Sequence, residues 1–426
     1  MNPDRSQAPP LIRSEKLMPL LPQRNLLDNG IPLYRIAAGD YRVCRIDLLI
    51  SAGTYLQDQA LQARFTNTLL TEGTAKHNAY QLALKLERCG AYLQSSVQKD
   101  FARLSLSVLS HKLAEVLPLL QEVFLQPAFS DEEFDLLLRK EKKAFADDQR
   151  RVQAVAAREF NALVFGEHHP YGGKVKQEDF DRIAPEHLRK FHTDHYLKGI
   201  HSILLSGQFP DDIEKHINSL FGQDKSLITK VIQEFPPITA TPGKGFTEME
   251  GSVQNAIRIG KSGINTHQHD FHTLQVCNTL LGGYFGSRLM SKIREEKGYT
   301  YGIYSMLVPY LHTGLFMIGT ETGSNVWKEA IRDIYDETDK LCQQEVEQSE
   351  LDLVLNYMTG SLQRSLDNPL NTMGYVRVLL EAGLDPEDYL KNKLLLFQQT
   401  DPQNILETFR KYLQYKSFSE FVCGAK

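Results

Sequence analysis

Three short stretches of this sequence carry residues whose types and spacing could support chemistry. In the first, Arg294 and Tyr301 stand seven positions apart after a glycine-rich turn. A guanidinium and a phenol both donate hydrogen bonds to oxygen acceptors. Taken alone, Arg294 followed by Glu295 and Glu296 is more typical of a solvated helix end with surface ion pairs.

The other two stretches have simpler structural explanations. His267, His269 and His272 are spaced so that they could bind a metal, but they lie at a predicted loop-to-helix junction without an acid placed as a base. This favours solvent-exposed histidines. Gly282-Gly283 lacks the phosphate-binding and dinucleotide patterns, which favours a structural turn. The five cysteines form no C-x-x-C pair, so we predict buried, reduced thiols.

The composition excludes several classes of protein. Of the 426 residues, 42% are hydrophobic and 24% are charged, which is ordinary for a globular chain of two or three domains. The 48 basic and 53 acidic side chains give a net charge of −5, so nucleic acid and anionic membranes are poor partners. No apolar run reaches the roughly 18 residues of a membrane helix, and the N-terminus has no secretory signal. We therefore expect a cytoplasmic protein.

Short sequences recur about half a chain apart. Three matches keep the same order at offsets of 211 or 217 residues: 67–70 with 278–281, 133–138 with 350–355, and 184–185 with 401–402. This order predicts a duplicated domain. The stretch 235–245 is rich in proline and glycine without periodicity, which is typical of a linker. We expect an extended arm over 1–25, a first domain over 26–234 and a second domain over 246–426.

Hydrophobic periodicity predicts the elements of the first half. Residues 43–50 are a predicted strand and 60–70 a predicted helix. Leu104, Leu106 and Val108 alternate with polar residues, which indicates a strand with one buried face.

A long helix and a repeated order of elements complete the prediction. Ser130 followed by Glu133 is typical of a capping box, and the apolar positions after it continue through the 150s. The second half repeats the order of the first, beginning with a strand at 253–259. The predicted fold class is α+β, with two homologous halves, each a mostly antiparallel sheet covered by helices, facing each other as a clam-like shell.

The order of elements, the duplication and two stretches, 64–74 and 280–305, resemble the M16 (insulinase-like) metallopeptidase family in its short two-domain form. The resemblance spans nearly the whole chain and implies a LuxS/MPP-like fold. In catalytic members the first stretch holds an inverted zinc motif, H-x-x-E-H. Its two histidines bind zinc from one face of a helix, and the glutamate acts as base on the zinc-bound water. Phe65, Gly73 and Thr74 match the family here.

The three positions that carry this chemistry differ from the family. Arg64 and Thr68 stand where the histidines would be, and Asn67 stands where the glutamate would be. Arginine is a permanent cation that cannot bind zinc, threonine is a poor ligand, and a neutral amide cannot act as a base. The region that matches the family's third ligand, 142–146, has no glutamate, and Glu141 nearby would not hold zinc alone. We therefore predict no metal, no cofactor and no zinc-dependent hydrolysis in this chain.

The second stretch keeps the family's pattern. The resemblance implies that Arg294 and Tyr301 reach across the shell towards the zinc site of the facing half and bind the substrate's backbone. Tyr299 and Tyr304 are alternatives for the tyrosine. No other catalytic residue is predicted.

The resemblance implies a division of labour between two chains. We expect this chain to be the inactive, substrate-binding subunit of a heterodimeric zinc peptidase. A homologous partner would supply H-x-x-E-H and its zinc, and the peptide substrate would dock as an added strand along a sheet edge. Two alternatives stay open: a non-enzymatic assembly protein, and a homodimer that binds peptides without cutting them.

Overall fold

A first sheet of six strands organises the N-terminal half. The computed structural model describes residues 20–39, 42–228 and 235–426, with the backbone alone at 398. The strands are β1 Gln23–Leu26, β2 Pro32–Ala37, β3 Val43–Ile50, β4 Tyr92–Val97, β5 Ala102–Leu109 and β6 Ile200–Gly207. Their order is β1-β2-β6-β3-β5-β4, and every pair is antiparallel except β2 with β6.

A second sheet of five strands organises the C-terminal half. The strands are β7 Lys244–Glu248, β8 Gln254–Ser262, β9 Ile303–Pro309, β10 Gly314–Gly323 and β11 Ser419–Gly424. Their order is β7-β11-β8-β10-β9, and only β7 with β11 is parallel. Without β1, the first sheet has the same order and the same single parallel pair. The α+β prediction of two mostly antiparallel, homologous sheets is therefore confirmed.

In the described part of the chain, helices lie between corresponding strands of the two halves, although they do not match one for one. In the first half they are α1 Gln62–Leu69, α2 Ala79–Arg88, α3 Leu113–Leu125, α4 Asp131–Asp148, α5 Val152–Phe165, α6 Asp179–Arg182, α7 Pro185–Phe191 and α8 Ile213–Phe221. In the second half they are α9 Phe271–Asn278, α10 Trp327–Gln343, α11 Gln348–Ser365, α12 Pro369–Glu381, α13 Pro386–Gln399 and α14 Pro402–Tyr412. No helix in the described part of the chain is long and apolar enough to cross a membrane.

Each sheet is covered on one face by a helix from the other half. Met373, Val376 and Leu380 of α12 pack on the first sheet, in one cluster with Ile36 and Leu204. In return, α5 lies against β8 and β11 of the second sheet. Because α5 and α12 occupy corresponding places in the two halves, the exchange is reciprocal. The two halves therefore share buried surface that neither would cover alone.

The exchange explains one departure from the predicted burial. Leu104, Leu106 and Val108 of β5 are buried as the alternation predicts. Ser105, which points to the opposite face, is buried as well. That face carries the cluster with α12, so a strand predicted to have one buried face has two.

The predicted long helix after Ser130 is two helices. Ser130 caps α4, and its hydroxyl accepts a hydrogen bond from the Glu133 backbone N–H at 3.4 Å. The helix ends at Asp148, and Arg151 has extended backbone angles before α5 begins at Val152. The apolar positions after the break share a core with those of α4 and also pack against the second sheet. Tertiary packing thus breaks a pattern that looks continuous in the sequence.

The N-terminal arm and the linker were predicted from composition, and parts of both form strands. Residues 1–19 of the arm lie outside the described residues, and the end of the arm belongs to β1, an edge strand paired with β2. Lys244 and Gly245, placed in the linker, begin β7. The domain limits otherwise stay predictions.

Candidate functional site

Helix α1 carries Arg64, Asn67 and Thr68, the three positions that the resemblance aligns with a zinc motif, and its apolar face fixes their directions. Phe65 is buried, and its ring meets the ring of Phe134 of α4 edge-on, with centroids 6.0 Å apart. The helix also packs on α7 and on β4, the free edge of the first sheet. Since Arg64 and Thr68 are one helical turn apart, they share a face.

Arg64 forms an ion pair with the next long helix. Its guanidinium Nη2 lies 2.8 Å from Oε2 of Glu141 in α4. The carboxylate side chain is only 13% exposed, whereas the arginine side chain is 58% exposed. Glu141 was predicted to be unable to hold zinc alone, and its role as the partner of Arg64 was missed. The position of Glu141 beside the third-ligand region could have suggested this pairing. A single carboxylate cannot hold zinc, but it can form an ion pair with a guanidinium.

The side chains of Asn67 and Thr68 bind separate partners and do not converge on one point beside Arg64. Asn67 is 3% exposed, and its amide Nδ2 donates a hydrogen bond to the Tyr196 hydroxyl at 3.0 Å. Burial raises the pKa of Tyr196, so its phenol stays neutral. The Thr68 hydroxyl donates to the Arg64 backbone carbonyl at 3.0 Å. Neither side chain is free to activate a water molecule beside Arg64.

These residues do not fit zinc. In the ranges that the structure describes, no group of three or more His, Cys, Asp or Glu side chains lies close enough together to hold a metal ion. Of the predicted exposed histidines, His269 is exposed, but the prediction is wrong for His272, which packs against Tyr389 with ring centroids 4.5 Å apart. Burial, together with the charge of Lys393, lowers the pKa of His272 to about 4.

The glycine-rich stretch before Arg294 is a point of close packing. Gly282 lies within a short helical segment, Thr279–Gly283, and against the backbone of Ser305 in β9. A Cβ atom at this glycine would come within 2.6 Å of the Ser305 nitrogen. The glycines thus have a packing role, but they lie in a helical segment and not in the predicted turn.

Arg294 lies in the next helical segment, Met290–Glu296. The centre of its guanidinium is 4.7 Å from the centroid of the exposed Phe285 ring, a cation–π contact. Its Nη1 is 3.8 Å from a carboxylate oxygen of Glu295, so the predicted surface ion pair is also present. The arginine side chain is partly accessible to solvent.

Tyr301 is the most accessible of the three candidate tyrosines. It is 94% exposed and precedes β9, the edge strand of the second sheet. Tyr299 packs on the core of the second half, and the ring of Tyr304 lies over Gly319 of β10. Among the described residues, no hydrogen bond or ion pair joins Arg294 or Tyr301 to Arg64, Asn67 or Thr68. The two sets instead lie at corresponding edges of the two sheets, β4 and β9.

Comparison with known proteins identifies relatives of both halves. The family "Insulinase (Peptidase family M16)" matches residues 37–170, and "Peptidase M16 inactive domain" matches residues 182–358. "Uncharacterized zinc protease YmxG" of Bacillus subtilis is 23% identical over 360 residues, which are 82% of this chain and 86% of that protein. An "Uncharacterized zinc protease" of Rickettsia bellii is 21% identical over 387 residues, 89% of each.

Two solved structures share the fold over nearly their whole length. The "peptidase M16 inactive domain from Pseudomonas fluorescens" has a TM-score of 0.85 at 23% identity, covering 95% of this chain and 98% of that one. A "protease from Helicobacter pylori" has a TM-score of 0.81 at 16% identity, covering 95% and 100%. Together with the family matches, these structures show a two-domain M16-like fold.

Proposed function

We propose that this chain, which belongs to the M16 peptidase family, is a subunit that is inactive alone and holds peptide substrate for a zinc-bearing partner. The observation that carries this proposal is the ion pair between Arg64 and Glu141. It places a permanent cation beside the carboxylate on the face of α1 where the family has its first histidine.

The chemistry of hydrolysis argues against an independent enzyme. A zinc peptidase needs ligands that bind a cation and a base that accepts a proton from water. A guanidinium at position 64 would repel zinc, and the Asn67 amide is buried against Tyr196. These contacts support a role for the chain other than activating water.

The edge strand beside α1 supports a role in binding an extended peptide. Within the described part of the chain β4 pairs only with β5, so the backbone groups on its other side are available. Such an edge can accept a peptide as an additional strand, with main-chain hydrogen bonds giving affinity. We propose β4 as the docking edge for the substrate.

Arg294 and Tyr301 support a role in positioning a substrate on a partner. Both present hydrogen-bond donors near the surface, and Tyr301 extends almost wholly into solvent. A side chain so exposed can reach a facing subunit. In the proposed pair, the guanidinium and the phenol hold the substrate's carbonyl near the bond that the partner cleaves.

The isolated chain and the reconstituted pair provide the test. The full chain is assayed for bound zinc and for cleavage of an unfolded peptide, alone and mixed with a homologous chain that carries an intact H-x-x-E-H. We expect substoichiometric zinc and no cleavage from the chain alone, and faster cleavage from the mixture than from the partner alone.

Three outcomes would contradict the proposal. Stoichiometric zinc with cleavage by the isolated chain would make it an independent enzyme. No gain over the partner alone would favour an assembly protein. If the chain forms a homodimer that does not bind the partner, and calorimetry shows that this homodimer binds peptide, the chain would be a peptide-binding protein that does not cleave.

A further inference from the structure

A cavity of about 580 Å³ lies where elements of the two halves meet, apart from positions 64, 67 and 68 of α1 and from Arg294. The turn between β4 and β5 lines it with Asp100 and Phe101, and the start of β6 lines it with Ile200 and His201. From the second half come the β9–β10 turn and the end of α12, through Leu311, His312, Leu380 and Gly383. This volume is within the range of small-molecule sites, roughly 300–1,000 Å³.

Asp100 is the acidic group of the cavity. Its carboxylate accepts hydrogen bonds from the Tyr171 hydroxyl and, at 3.0 Å, from the Leu311 backbone N–H. It forms no ion pair with any residue that the structure describes. Burial raises the pKa of Asp100, because its charged form has lost water and the two hydrogen bonds, together with the nearby Lys99 and His312, offset that loss only in part. A carboxylate whose lost hydration is compensated only in part would gain from a positive ligand that approaches it closely.

Apolar and aromatic side chains form most of the remaining wall. The rings of Tyr55 and His312, both lining residues, lie with centroids 5.3 Å apart. Phe101 meets the His201 ring edge-on at 5.3 Å. Leu56 and Leu311 line the cavity beside them. Aromatic faces attract organic cations, and apolar walls favour a ligand whose body is hydrocarbon.

The cavity lining also includes a cation, Lys198, which would repel a positive ligand, but this repulsion is weakened. The Lys198 side chain is 44% exposed and its Nζ lies 3.6 Å from an oxygen of Asp194. Its charge is therefore partly neutralised and partly solvated. Asp100 is the one acidic side chain among the described residues that line the cavity.

We propose that this cavity binds a small organic ammonium with an apolar body, whose charged nitrogen lies near the Asp100 carboxylate. The body of the ligand lies against Phe101, Leu311 and Leu380. Because the cavity is separate from positions 64, 67 and 68 of α1, this binding does not depend on the peptidase role.

A matched series of probes tests the charge requirement on the full wild-type chain. 4-Phenylbutylamine, 4-phenylbutanol and 4-phenylbutyrate share one skeleton and differ in the charge of the terminal group. Isothermal calorimetry should show the amine binding at least about tenfold more tightly than the alcohol, and the acid binding most weakly. No binding of the amine, equal binding of amine and alcohol, or tighter binding of the acid would overturn the proposal.

Substitution of Asp100 tests whether its carboxylate is the group that binds the ammonium. Asp100→Asn should lower the affinity for the amine by about tenfold or more and leave the alcohol nearly unchanged. Asp135→Asn removes an exposed carboxylate of α4 and the same formal charge, and it should not affect the amine. If the Asp135 variant lost as much affinity as the Asp100 variant, the amine would be sensing overall charge and the site would be refuted. The probe series decides the matter on the wild type even if Asp100→Asn does not fold.

Discussion

Arg64 and Glu141 contribute unequally to the ion pair that joins α1 to α4. The arginine is more than half exposed, so it keeps much of its hydration without a partner. The carboxylate is mostly buried, and its loss of water is compensated by the guanidinium at 2.8 Å. Substitution of Arg64 and substitution of Glu141 should therefore change the stability of the fold by different amounts.

Removing Arg64 should cost more stability than removing the charge of Glu141. Arg64→Ala leaves a buried carboxylate unpaired, and we expect a loss of about 1–3 kcal/mol in the free energy of unfolding. Glu141→Gln leaves an exposed guanidinium, with a loss of about 1 kcal/mol or less. Urea unfolding of both variants at neutral pH measures the difference. A larger loss of stability for Glu141→Gln than for Arg64→Ala would show that the burial of the Glu141 carboxylate does not determine these losses.

Lys393 is a buried cation that has no acidic partner among the residues the structure describes. Its Nζ donates to the Tyr375 hydroxyl at 3.2 Å and lies over the rings of Tyr375, Tyr389 and Phe397. Burial lowers the pKa of Lys393 from 10.5 to about 8. The unfolded chain therefore binds a proton more readily than the folded one. This difference destabilises the fold below about pH 8, and the penalty disappears as the pH rises towards 10.5.

Lys393→Met should stabilise the protein at pH 7. From the size of the pKa shift we expect a gain on the order of 1–3 kcal/mol, reduced by the lost contact with Tyr375. The gain should shrink between pH 8 and pH 10.5, where the wild type loses its penalty. Urea unfolding at pH 7 and pH 10 tests both points. Lys391→Met, on the exposed face of the same helix, is the control and should change stability by less than about 0.5 kcal/mol. A destabilised Lys393→Met at pH 7 would contradict this explanation.

At the scale of elements, the short helical segment around Gly282 shows how close packing positions an edge strand. Gly282→Ala would bring a Cβ within 2.6 Å of the Ser305 backbone, which cannot move without β9. We expect a loss of about 1–3 kcal/mol. Gly302→Ala is the matched control, because no atom lies within 4 Å of the added Cβ. Thermal unfolding compares them, and equal effects would show that the close approach is unimportant.

The sequence predicts elements best where one helix or strand faces one core. The strand at 43–50 and the N-cap at Ser130 are found as predicted. The break between α4 and α5 could not be predicted, because it arises when α5 turns to cover the sheet of the other half. Strand β7 was missed because it is a short edge strand in which buried and exposed positions contrast weakly.

The candidate site was predictable only in part, for a related reason. Positions 64, 67 and 68 were singled out by the resemblance of their stretch to a family motif, and side-chain chemistry then predicted that they would not bind zinc. Their partners, Glu141 and Tyr196, depend on how helices pack across long stretches of chain, and no local periodicity encodes that. The exposure of Tyr301 likewise depends on where β9 begins.

At the scale of the whole molecule, the exchange of α5 and α12 should make the two halves unfold together. One continuous core includes residues of the first half with Ala256, Leu315 and Phe421 of the second sheet. Trp327, the only tryptophan, reports on the second half, while circular dichroism reports on both. We expect the two signals to give one coincident transition in urea. Two separate transitions would show that the shared core does not couple the halves.

Peptide cleavage by the reconstituted pair tests the central claim most directly. With wild-type partner, Arg294→Ala in this chain should lower kcat/KM by roughly 100-fold, as expected for loss of a donor to the reacting carbonyl. Tyr301→Phe should lower it by about tenfold or more. Arg332→Ala removes another exposed arginine, on α10, and should leave the rate unchanged. If Arg294→Ala and Tyr301→Phe cleave as fast as the wild-type pair, this chain does not hold the substrate for its partner.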